Sequence, residues 1–148
     1  MTYCGEIEYP LKCKHGVDTS DGAWCGKCRA ELAESEIEQR KERWPFLCRD
    51  VYCGWHCPPG WYPAVEKLCD LLERIGGVQL AQVKEKFGGL RFYVDGGPYL
   101  AHELIKACEA ASIMMCQDCG APGVLRKNGT YWVATLCDKC GEGWKVCK

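Results

Sequence analysis

Histidine is scarce in this chain, three in 148 residues, and that scarcity removes most metalloenzyme signatures. HExxH is absent, since Lys106 stands where His102-Glu103 would need its second His. The zinc-deaminase pattern fails as well: Gly16 and Val17 follow His15, and no Pro-Cys-x-x-Cys occurs. Neither GxSxG nor a P-loop is present. Long apolar runs are missing too. No stretch approaches the roughly 18 residues of a membrane span, and residues 1–30 show no signal-peptide core. A basic excess is the last absence: 19 Lys and Arg face 20 Asp and Glu, for a net charge of −1. That balance speaks against a general nucleic-acid binder. Only residues 116–148 lean basic, with 5 cationic and 3 anionic side chains. The expectation is a cytoplasmic chain in a reducing compartment, without catalytic machinery.

Cysteine is what the chain has in abundance, 14 in all. In a reducing compartment such a density points to metal ligation rather than disulfides. The clearest set is C-terminal. Cys116-x2-Cys119 and Cys137-x2-Cys140 are separated by 17 residues, and Gly120 and Gly141 follow the two pairs directly. A CxxC knuckle supplies two thiolates from one tight turn, and tetrahedral zinc takes four soft ligands. Between the knuckles, two strand-like segments bracket Asn128-Gly129, a two-residue hairpin signal. Knuckle, hairpin, knuckle is the plan of a zinc ribbon.

A second set lies near the N-terminus, where Cys13 and His15 precede the Cys25-x2-Cys28 pair. These four form a Cys3His shell for a second zinc, with Cys4 competing for the place of Cys13 or His15. Cys48, Cys53, His56 and Cys57 make a third set within ten residues, to which Cys4 or Cys69 could add a donor. Its alternative is a group of buried or free thiols. Cys108 and Cys147 have no partner pattern.

The organisation reads as α+β, with a small αββα core between two zinc modules. Residues 1–45 hold the N-terminal module and a charged helix over 29–43, with a thin stripe of Leu32, Ala33 and Ile37 continued by Trp44 and ended by Pro45. Residues 46–115 form the core, and residues 116–148 the ribbon. In the core, Trp61, Val65, Leu68, Leu72 and Ile75 recur at helical spacing until Gly76-Gly77. Two strands follow over 78–95, with Val78, Leu80 and Gln82 on one side. A second helix over 99–115 carries Ala101, Leu104, Ile105, Cys108, Ala111 and Met115 on one face.

GWYPAVEKLCDLL at 60–72, QVKEKFGGLRFYV at 82–94 and CQDCGAPGVLRKNGTYWVATLCDKC at 116–140 resemble a family of small zinc-ribbon proteins of bacteriophage and prophage genomes. The resemblance implies a phage-type accessory protein in a bacterial host cell and carries no activity over. The leading expectation is a non-catalytic, zinc-stapled binding protein that recognises a host macromolecule, a host or viral protein foremost. Lys84, Lys86, Arg91, Arg126 and Lys127 are the candidate contacts, with Tyr131 and Trp132 as aromatic anchors. The alternative is a nucleic-acid-binding factor using the ribbon and the hairpin cations. A zinc-dependent enzyme is the third reading.

Overall fold

The computed structural model describes residues 26–49, 55–129 and 131–147, with 26–33 as backbone only. It is a mixed α+β structure with three helices and two small sheets among the described residues. The chain divides into two compact units, residues 1–40 and 41–148. No described helix is long and apolar enough to cross a membrane.

In the first unit the described part belongs to α1 (Gly26–Arg43). Its surface carries an i,i+4 ion pair, Arg40 to Glu36 at 3.2 Å. The helix begins three residues earlier than the charge pattern suggests, so the backbone of Cys28 lies in its first turn.

Just past α1, Trp44 is buried and donates its indole N–H to Asp70 at 2.7 Å. Glu73 then accepts the backbone N–H groups of Phe46 and Leu47 at 3.0 and 2.8 Å. Both acids belong to α2 (Tyr62–Ile75), so the segment after α1 is fastened by carboxylates that periodicity would have left to solvent. The strands are β1 (Trp55–His56), β2 (Val78–Lys86) and β3 (Gly89–Gly96), in the order β1-β2-β3. β1 runs parallel to β2, and β3 antiparallel to it. β1 is two residues long and carries no strand pattern of its own in the sequence.

A bulge between Leu80 and Gln82 changes which residues face inward. Past it Val83, not Gln82, joins Val78 and Leu80 in the core. Val65, Leu68 and Leu72 of α2 pack on this face with Leu90 and Phe92 of β3 and with Ala101 and Ile105 of α3 (Tyr99–Ser112). Ala111 is exposed, contrary to the helical stripe, and Ser112 is buried in its stead. The reason is the edge of β3, whose backbone donors need partners. Ser112 Oγ accepts the Leu90 N–H, and Glu109 accepts that of Phe92.

The hairpin turns on Phe87 (φ +53°) and Gly88 (φ +78°), the left-handed pair of a two-residue turn. Its tip meets the second sheet, made of β4 (Val124–Asn128), β5 (Trp132–Leu136) and β6 (Lys145–Val146) in the order β5-β4-β6. Thr135 donates its hydroxyl to the Gly88 carbonyl at 2.6 Å. A Cβ on Gly88 would stand 2.3 Å from the Leu125 side chain. The β4–β5 connection differs from the two-residue turn expected at Asn128-Gly129. Asn128 is the last residue of β4, opposite Trp132, so three positions rather than two separate the strands.

Candidate metal centre

Each knuckle is built from its own backbone. In the first, the Gly120 N–H donates to the Cys116 carbonyl at 2.9 Å, and the Cys116 N–H to that of Ala121 at 2.7 Å. In the second, Gly141 donates to the Cys137 carbonyl at 2.9 Å, and the Cys140 N–H points at Cys137 Sγ at 3.4 Å. The two glycines serve different needs. Gly120 has φ +77°, which side chains rarely adopt. Gly141 is a matter of space, because a Cβ there would fall 2.5 Å from Cδ of Arg126.

The turns bring Cys116, Cys119, Cys137 and Cys140 together with all four ligand atoms within 4.8 Å of one another, so the group can hold one metal ion. Cys116 is buried, Cys119 exposed and the other two half-buried. The electrostatics are uneven. The backbone N–H of Cys140 brings the Cys137 thiol down to about 7, whereas burial, then the thiols of Cys119, Cys137 and Cys116, push Cys140 upward. Four thiolates so close repel one another, and a bound cation is what lets all of them ionise.

The rest of the unit positions the first knuckle directly. Gly60 donates its N–H to the Gln117 carbonyl at 2.8 Å, and the Trp61 indole N–H reaches the Met115 carbonyl at 2.9 Å. A Cβ on Gly60 would lie 2.2 Å from the Cys116 carbonyl and 2.6 Å from the Gly120 nitrogen. The Pro-Pro-Gly-Trp segment is therefore a seat for the knuckle. Sequence reasoning missed it; the only sign was the glycine beside two prolines.

Arg126 departs furthest from expectation. As a hairpin-tip contact it should project into solvent, yet it is 8% exposed. Its Nε donates to the Leu136 carbonyl at 3.2 Å, and its Nη2 pairs with Asp138 inside the second knuckle. It braces the knuckle from beneath. Lys127 is exposed, and so are Tyr131 (93%) and Trp132 (67%).

The other candidates fall in several places. Lys84 and Arg91 face each other across β2 and β3, half-buried, and Lys86 lies exposed one pleat beyond. Cys13, His15 and Cys25 lie outside the described residues, as do Cys4 and Cys53; of Cys28 the backbone alone is described. Cys48 and Cys57 are buried in the core cluster with Cys69, while His56 is exposed. Burial, then the neighbouring Cys48, pushes the Cys69 thiol up, as suits a protonated core side chain. Among the described residues only the C-terminal four cysteines converge as a metal-binding group. No family model, curated protein or solved structure matches the chain.

Proposed function

We propose that this is a non-catalytic binding protein in which zinc fixes the shape of a recognition surface. The observation that carries the reading is the donor set: four cysteine thiols converge and no His or carboxylate stands among them. Soft thiolates select zinc over the harder divalent cations. Metal–sulfur bonds of about 2.3 Å make a tetrahedron with sulfur–sulfur edges near 3.8 Å, which the 3.6 Å between Cys119 and Cys137 approaches. Four protein ligands fill that shell, whereas a catalytic zinc keeps a place for water. The C-terminal module is then a zinc ribbon stapled to an αββα core, and Cys13, His15, Cys25 and Cys28 hold a second zinc.

With no chemistry left to the metal, function falls to the surface. The resemblance to phage and prophage proteins makes the partner a host or viral macromolecule in the bacterial cytoplasm. Two exposed regions support recognition. The tip of the ribbon offers Tyr131 and Trp132, residue types enriched in binding hot spots. The sheet face of Lys84, Lys86 and Arg91 offers charge.

Cobalt substitution tests the closed shell. The Co²⁺ protein should give a tetrahedral tetrathiolate spectrum that added azide leaves unchanged. An azide-sensitive spectrum, or an oxygen ligand, would return the protein to the metalloenzymes. Capture from bacterial lysate by the zinc-loaded chain, with and without nuclease, tests the recognition role. Recovery of no partner in either arm would count against it.

A further inference from the structure

We propose that the face of the β1–β2–β3 sheet opposite the one packed on α2 and α3 binds single-stranded nucleic acid. This deepens the binding-protein reading and rests on it. The register aligns His56, Lys84 and Arg91 across the three strands, His56 opposite Lys84 and Lys84 opposite Arg91. Neighbouring strands lie about 4.8 Å apart, so the row spans roughly 10 Å. Lys86 adds a further cation one pleat along β2. Lys84, Lys86 and Arg91 pair with no carboxylate among the described residues. Glu85 is turned to the Gly88 amide, and Asp95 sits at the far end of the hairpin.

Two exposed rings accompany these charges. Tyr93 is 43% exposed, and the Lys84 ammonium lies 5.2 Å from its ring centroid. Phe87 is 72% exposed, with the Lys86 ammonium at 5.4 Å. Each ring carries a cation over one face and is exposed to solvent, a pairing that suits a nucleic-acid strand, with phosphates on the charges and bases on the rings. A duplex keeps its bases stacked inside and would leave the rings unused. An acidic peptide would use the charges alone.

The face also bears two local costs. Lys84 and Arg91 are like charges directly opposed across strands, a destabilising pair. Phe87 holds a left-handed φ of +53° where Asn or Gly would sit without strain. Local rules broken together on one surface mark a place where binding recovers the cost.

The test is fluorescence anisotropy of the zinc-loaded full chain with labelled oligo(dT) and oligo(U) of roughly 12 nucleotides. Binding should weaken steeply with salt. Lys84→Glu with Arg91→Glu should lower affinity at least about 10-fold and flatten the salt dependence. Tyr93→Ala should cost about 10-fold. Phe87→Asn is the sharpest variant: it should weaken binding while Tm holds or rises, because Asn accepts the positive φ. It also decides the matter if the double charge reversal fails to fold. No binding by the wild type at about 50 mM salt, a preference for duplex, or equal competition by polyglutamate would overturn the proposal. So would full binding by the sheet variants when Lys127→Glu with Trp132→Ala abolishes it. If oligonucleotides fail but nuclease-treated lysate still yields a partner, this inference falls and the binding-protein reading stands.

Discussion

Among the described residues, sixteen buried apolar side chains gather in the core cluster around the β1–β2–β3 sheet with α2 and α3, whereas the C-terminal sheet and its first knuckle bury Cys116, Ala134 and Leu136, with half-buried Cys137, Cys140 and Trp144 around them. The first region removes enough apolar surface from water to offset its ordering entropy. The second does not, and two of its own residues, Gly123 and Gly141, are left without side chains so that backbone and Arg126 can close in. Its shape depends on what joins the knuckles and on the surfaces against which it rests. One part is held by packing; the other is held by seating and, once a metal ion joins the four cysteines, by ligation.

Metal removal should break this contrast most visibly. Stripping the ion with a chelator, or replacing Cys137 by Ala, removes folding energy on the order of 10 kcal/mol in comparable thiolate modules. Amide protection across Val124–Leu136 should collapse while α2 remains protected, as read by hydrogen exchange. Protection retained in β4 and β5 without metal would mean that packing carries that sheet after all.

The mirror experiment is Leu72→Ala. Leu72 is almost fully buried in the core cluster, and its truncation should cost about 2–5 kcal/mol. Tm should fall with metal stoichiometry unchanged. A metal affinity that falls as steeply as Tm would show that core and C-terminal sheet unfold as one cooperative unit.

Gly60→Ala addresses the joint between them. The new Cβ would meet backbone atoms of Cys116 and Gly120, which cannot swing aside as a flexible side chain would. A cost of about 1–3 kcal/mol is expected, with weaker metal binding and α2 intact. Unaltered metal affinity would make the seat a passive contact.

The same division governs what could be read from the residues. α2 was legible because Val65, Leu68 and Leu72 repeat at helical spacing, and the knuckles because ligand spacing is local. The hairpin was legible as two strands, yet the bulge after Leu80 was not, since Ala81 carries no local mark of being an extra residue. β1 is two residues long and exists through pairing with β2, 28 positions away. Ser112 and Glu109 violate helical amphipathicity only because a strand edge some 17 to 22 positions earlier needs acceptors. Arg126 looked like a tip cation because its partners, Asp138 and the Leu136 carbonyl, lie across the hairpin. Local periodicity survives into the structure; contacts made between elements leave little trace in it.

The smallest effect concerns Asp70, and its sign follows from its partners. The Trp44 indole N–H, then the Arg43 guanidinium, hold the Asp70 carboxyl below the usual carboxylate range. A carboxylate whose pKa is lowered by folding adds stability that is present above its unfolded value near 4. That contribution is lost as pH falls through the lower folded value. Asp70→Asn keeps an acceptor for the indole but discards the charge. Its Tm should therefore sit slightly below that of the wild type at neutral pH, and the gap should close in the acidic range below about pH 4. The measurement must follow the core, by protection of α2 amides, because thiolate protonation releases metal as pH falls and loosens the C-terminal sheet first. A gap that persisted unchanged into acid would mean that Asp70 fastens Trp44 through hydrogen-bond geometry alone, with its charge contributing nothing.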